Sequence, residues 1–212
     1  MTSLELNDYR LSVYDLMLNA SPKTIAAAGA GFVYVASGQA ELDGARVAAD
    51  DGALVRGAFS LGGSGHAWLY EFAPVSQPVL NEDGISLVIS HRLPSAFSGE
   101  RILRADRVES NPGAATPLHG HRGPGIRRLL KGQLRAYIGE NIERIDTGTA
   151  WFETGTDWVI GKNIHDSASA FVRVMILPAE LAGGTSSFVA ANAEEASKPR
   201  SVTYRLFGEQ AV

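Results

Sequence analysis

The chain has 212 residues, of which 45% are hydrophobic, 20% charged and none cysteine, so it describes a globular protein with a sizeable core and no thiolate or disulfide chemistry. Its formal net charge is -4 and its Lys and Arg residues are scattered, which leaves no electrostatic footprint for a nucleic-acid backbone or an anionic membrane. Any metal would have to rest on His, carboxylate or water.

The opening segment, MTSLELNDYRLSVYDLML, carries acidic residues where a secretory leader would carry basic ones, and no apolar run reaches membrane-spanning length; a cytoplasmic protein is the expectation. From there, short runs rich in Val, Ile, Tyr, Phe and Leu recur between Gly- and Asp-bearing turns: GFVYVASGQAELDGARV, AWLYEF, ISLVISH, RRLLKGQLRAYIG and FVRVMILP. This spacing predicts an all-β, antiparallel fold. AANAEEASK, residues 190–198, has weak helical periodicity and reads as one exposed turn. The final stretch, SVTYRLFGEQAV, reads either as an edge strand or as a cover for a neighbouring subunit. The glycines of AGAG and GGSG have no strand–turn–helix unit around them and so do not read as nucleotide loops.

A weak repeat organises the strands. YVASGQAEL around Gly38 matches RLLKGQLRA around Gly132, an offset of 94 residues; DDGALV and DTGTAWF follow at 96, and the runs ending at Pro74 and Pro178 at 104. The expected layout is an N-terminal barrel over residues 1–75, a linker with a candidate strand over 76–100, a C-terminal barrel over 101–180 and an extension over 181–212. Two such copies can pack as a pseudo-dimer, and further homo-oligomerisation is a candidate.

In the second copy the sequence runs Gly113, five residues, His119, Gly120, His121, three residues, Gly125, six residues, Gly132. Residues i and i+2 of a strand share a face, so both imidazoles can enter one interior. This pattern resembles the first motif of the cupin superfamily, with Gly125 where the motif has Glu. Together with AWFETGTDWV and AFVRVMILP it is similar to small bacterial two-cupin proteins.

The resemblance implies two cupin-type barrels (double-stranded β-helix, jelly-roll-like) and a metal on His119 and His121. The second motif is eroded: with Gly155 as its inner Gly, Glu153 replaces the Pro, Trp158 falls where the metal-binding His belongs, and Lys162 replaces the Asn. Glu153, Asp157 and His165 are the nearest further ligands, and Fe, Mn, Ni, Zn or Cu would each suit such a set. In the first copy the matching positions are Ile25, Ala27 and Gly31, so that barrel is expected to be structural or dimer-forming, with His66 in an exposed loop.

Arg127 faces inward if position 125 does, and would then clamp a substrate carboxylate; a bulge would instead leave it solvated. Trp151, Phe152 and Trp158 read either as core or as the mouth of the cavity, and Tyr137 as a phenol in the cavity or a rim aromatic. Two functions are compatible with these residues. One is a divalent-metal-dependent enzyme of the dioxygenase, isomerase or lyase class acting on a carboxylate- or carbonyl-bearing metabolite. The other is a metal-free module that binds or senses a small anionic ligand.

Overall fold

Antiparallel strands account for 60% of the residues in the computed structural model, which describes residues 5–96 and 98–212. The described residues form two units. The first runs to Ser95 and takes in Phe207–Gln210 and Val212; the second is Ala96–Leu206 with Ala211. No helix among the described residues is long and apolar enough to cross a membrane.

The first unit holds β1 (Tyr9–Leu18), β2 (Lys23–Ile25), β3 (Ala30–Leu42), β4 (Ala45–Ala48), β5 (Asp51–Arg56), β6 (Phe59–Pro74) and β7 (Ile85–Arg92). They build one seven-stranded sheet in the order β4-β3-β6-β1-β7, with β2 on β6 and β5 on β3. The segment 76–100 therefore contributes a strand, β7, paired to β1. Long strands such as β3 bend at a bulge next to Gly38, where φ is +79 and an added Cβ would stand 1.9 Å from the Ser64 carbonyl oxygen; only glycine fits there. His66, expected in a loop, lies within β6 and pairs with Asp15 at 2.8 Å, because the glycines around it serve the β3–β6 bulge rather than a turn.

The second unit holds β8 (Arg101–Ser110), β9 (His119–His121), β10 (Gly125–Lys131), β11 (Gln133–Ile138), β12 (Asn141–Asp146), β13 (Ala150–Glu153), β14 (Val159–Asn163), β15 (Ser169–Pro178), β16 (Phe188–Ala190), a short helix α1 (Ala193–Ser197) and the first half of β17 (Val202–Ala211), whose Phe207–Gln210 belong to the first unit. Two five-stranded sheets result, β13-β10-β15-β8-β17 and β12-β11-β14-β9-β16. The segment 181–212 thus supplies one strand to each sheet.

The repeat seen in the sequence is a repeat of register. Gly31 pairs with Val55 and Glu71, and Gly125 pairs with Glu153 and Met175; Val33 pairs with Leu69, and Arg127 with Arg173. Ile25 pairs with Phe59, and His119 with Val159. The two interiors differ at these positions. Ile25, Val33, Val55 and Leu69 belong to one contiguous apolar core, whereas His119, Arg127, Glu153 and Arg173 line a cavity.

Candidate functional site

Strand β9 is three residues long and lies between β14 and β16, with Phe188 opposite His121 and Ala190 opposite His119. Its entry is tied to α1: the Leu118 N–H donates to the Glu195 carboxylate at 2.9 Å, and the Asn192 side chain caps the helix by accepting from the Glu195 N–H. The two imidazoles sit 4.9 Å apart and nearly perpendicular. His119 is 7% exposed and stacks on Phe188 at 4.6 Å. Its Nδ1 lies 2.8 Å from the Pro117 carbonyl oxygen, which can only accept; the proton is therefore on Nδ1, and Nε2 carries the lone pair. His121 Nδ1 is 3.4 Å from Ser187 Oγ. Burial pushes both histidines below their ordinary pKa, His121 strongly, and the neighbouring Arg127 and Arg173 charges push in the same direction. Both imidazoles are neutral near pH 7.

Charged groups surround this pair. Arg127, 1% exposed, donates from Nη1 to the Gly125 carbonyl oxygen at 2.7 Å and places Nη2 2.7 Å from Glu153 Oε2. The angles at that second contact are not those of a hydrogen bond, and neither atom has one among the described residues, so the contact is ionic. Burial lowers the Arg127 pKa to about 10, and Glu153 holds it from falling further. The other Glu153 oxygen accepts from Trp151 Nε1 at 2.9 Å, and Oε2 lies 3.7 Å from His121 Nε2. Arg173 grips the fully buried Asp106 with two hydrogen bonds, 2.9 and 3.1 Å.

These groups line a cavity of about 340 Å³ in the second unit. Part of its wall is apolar, from Val108, Leu134, Val159 and Phe171. Four guanidinium groups also face it, those of Arg104, Arg127, Arg173 and Arg200. Glu153 is the carboxylate in the lining, and Asp106 lies behind Arg173. Four guanidinium groups against two carboxylates leave a formal charge of +2 around neutral imidazoles. Arg200 lies over the Phe188 ring at 4.1 Å and donates to Ser186 Oγ.

Of the residues singled out in the sequence, His119, His121, Arg127, Trp151 and Glu153 meet in this cavity. Four others do not line it, and the sequence-based expectation is corrected for each. Tyr137 alternates with the inward Leu134 and Ala136 of β11 and so turns out; Trp158, 44% exposed, precedes the inward Val159. Asp157 closes a turn with Thr154 at 2.6 Å, and His165 bonds Ser167 in an exposed loop. Arg127 is turned to Glu153, not held ready for a ligand, because an uncompensated buried guanidinium would be costly. Arg104, Arg173 and Arg200 escaped the motif-based reading; the one signal was a lone charge inside the apolar run FVRVMIL, since an arginine in the middle of a buried strand needs a partner or a task.

The divalent metal that the cupin resemblance implies can be tested against these donors. Two imidazoles and the Glu153 carboxylate are present, but a cation bound to Oε2 would share that oxygen with the Arg127 guanidinium 2.7 Å away. No group of three His, Asp or Glu side chains among the described residues has metal-holding geometry. The residues do not fit the metal.

Comparison with solved structures places the fold. AerE from Microcystis aeruginosa superposes with a TM-score of 0.56 at 15% identity, over 81% of this chain and 88% of that one. A single-residue variant of oxalate decarboxylase from Bacillus subtilis superposes with a TM-score of 0.62 at 13% identity, over 89% and 73% of the two chains. A cupin 2 conserved barrel domain protein from Leptotrichia buccalis also aligns, over 83% and 92%, with a TM-score of 0.49 and 11% identity. At TM-scores of 0.56 and 0.62 the chain shares the all-β barrel architecture of AerE and oxalate decarboxylase. No protein-family model matches the chain, and no curated protein matches it in sequence. A further B. subtilis oxalate decarboxylase structure, with a TM-score of 0.60 at 11% identity over 89% of this chain and 73% of that one, concerns that enzyme's Mn(II) centres. At these identities the cupin likeness extends to backbone architecture alone.

Proposed function

We propose that the second unit binds a small carboxylate-bearing metabolite without a metal, its anionic group held by Arg200 at the rim within the positive field of Arg104, Arg127 and Arg173, and its apolar part set against Val108, Leu134, Val159 and Phe171. The single observation that carries this reading is the excess of guanidinium groups in a partly apolar cavity. His119, with its Nε2 lone pair available, and neutral His121 then serve as hydrogen-bonding groups toward the ligand's polar end.

The test is a thermal-shift screen of mono- and dicarboxylates of increasing apolar size, followed by calorimetry on the hits. Binding should weaken about tenfold in Arg200→Gln, the loss of one charge-assisted contact at the rim, with an unchanged melting temperature in the absence of ligand. A hit set of neutral or cationic compounds, indifferent to Arg200, would overturn the reading.

A second reading, metal-dependent chemistry, has one observation in its favour: the Pro117 carbonyl fixes the His119 proton on Nδ1, as a metal-ligating histidine requires. Against it stands Arg127 on Glu153, the one carboxylate in the cavity lining among the described residues. Elemental analysis of protein purified without chelator or nickel resin, repeated on His119→Ala with His121→Ala, decides between the two.

A further inference from the structure

His119 presents an acceptor to the cavity. Its Nδ1 lies 2.8 Å from the Pro117 carbonyl oxygen, and because a carbonyl brings no proton to that contact the imidazole supplies it, leaving Nε2 with a lone pair. Nε2 has no hydrogen-bond partner among the described residues, yet it is not one of the unpartnered atoms that the fold seals off, as Glu153 Oε2 and Arg127 Nη2 are. The lone pair is therefore open to the cavity that His119 lines.

An ionised carboxylate only accepts, so it cannot bond His119 Nε2, where two acceptors would face each other. The anionic group of a ligand and the group that meets His119 are thus different groups, and the second must donate. An ammonium donates, but Arg104, Arg127, Arg173 and Arg200 face the same cavity and outnumber Glu153 and Asp106, so a further cation is repelled. A hydroxyl donates without charge, and its own lone pairs accept from neighbouring N–H groups.

The two ends of such a ligand have subsites built on one ring. His119 stacks on Phe188 at 4.6 Å, and the Arg200 guanidinium lies 4.1 Å from the centroid of the same ring. Arg200 is held there by Ser186 Oγ at 3.0 Å, and Phe188 by its pairing with His121 across β16 and β9. An acid-binding cation and an accepting imidazole are thereby fixed within the reach of one small molecule. We infer that the ligand of this cavity is a hydroxy acid, whose carboxylate meets Arg200 and whose hydroxyl donates to His119 Nε2. This rests on the carboxylate-binding reading and narrows it.

The test is calorimetry on full-length wild type with straight-chain acids of about three to seven carbons, each in four forms: the parent acid, the ω-hydroxy acid, its methyl ether and the ω-amino acid. At the best-fitting length the hydroxy acid should bind at least about tenfold more tightly than the other three. In His119→Phe, which keeps a flat ring against Phe188 and removes the acceptor, that preference should shrink to about twofold or less. The imidazole nitrogen resonances of wild type need no substitution: His119 Nε2 should be unprotonated in the free protein and move upfield when the hydroxy acid binds.

A parent acid, ether or amino acid that binds as tightly as the hydroxy acid overturns the inference and leaves the carboxylate-binding reading standing. So does a preference that survives in His119→Phe shown by circular dichroism to be folded, or a proton on Nε2 in the free wild type. If His119→Phe does not fold, the resonances decide. If no acid binds in any form, the carboxylate-binding reading itself falls and the inference falls with it.

Discussion

Glu153 lies directly opposite Gly125 in the β10–β13 ladder, and its carboxylate meets the guanidinium of Arg127 two residues further along β10. A missing side chain on one strand and a carboxylate on its neighbour thus form one arrangement, sealed from water and centred on a single ion pair.

Breaking that pair from one side should be expensive. Glu153→Gln keeps the acceptor for Trp151 Nε1 but leaves the buried Arg127 charge uncompensated, so urea unfolding should show a loss of about 3–5 kcal/mol. Adding Arg127→Met to the same chain should recover most of it. A double variant no more stable than Glu153→Gln alone would mean that the pair is not what the single substitution disrupts.

Restoring the motif at Gly125 should not work. A Cβ there would stand 2.5 Å from the Val174 carbonyl oxygen and 2.8 Å from Met175 Cγ, contacts that require β10 and β15 to move apart. Gly125→Ala is expected to cost about 1–3 kcal/mol, and Gly125→Glu more. Melting temperatures indistinguishable from wild type would show that the strand spacing is softer than these distances imply.

Stability should depend on pH through the histidines. Burial holds His119 and His121 below their unfolded pKa of ~6.5, so as pH falls below that value the unfolded chain takes up protons that the folded chain refuses, and the free energy of unfolding drops. Above ~pH 7 the effect is absent. The slope should reach at most about 1.4 kcal/mol per pH unit per histidine between the folded and unfolded values. His119→Gln with His121→Gln should flatten the curve, leaving the smaller share of His91, which burial also lowers. Urea midpoints between pH 5 and 8 measure this, and an unflattened slope would rule these two residues out.

In the first unit the buried carboxylate is structural. Glu71 accepts from the Ala28 N–H at 2.8 Å and the Tyr14 hydroxyl at 3.1 Å and pairs with Arg10 at 3.4 Å. Glu71→Leu should therefore destabilise by about 3–5 kcal/mol in a thermal or urea melt, with little effect on the second unit's cavity. Wild-type stability in this variant would contradict that assignment.

Much of the architecture is legible in the sequence because period-two burial and turn glycines are local signals. Gly38 and Gly132 mark equivalent bends, and His-x-His predicts two side chains on one face. The cavity's charges are less legible because they are set by pairing between strands far apart in the chain. That Arg173 lies beside Arg127 and opposite Asp106 depends on the β10–β15 and β15–β8 registers, which no short motif encodes. Asp157, His165 and Trp158 drew attention by being near a motif position in sequence; turn closure, loop exposure and strand alternation each took them elsewhere.

The matched positions of the two units should also differ in what they tolerate. At Ile25, Val33, Val55 and Leu69 any hydrocarbon of similar volume satisfies its surroundings, so a saturation library should return many functional alternatives there. At Arg127, Glu153 and Arg173 nearly every exchange strands a charge on a neighbouring strand, so the same library should be close to silent. Sequence drift is thus channelled: the filled core of the first unit can vary freely, while the charged cavity of the second changes only by paired replacements.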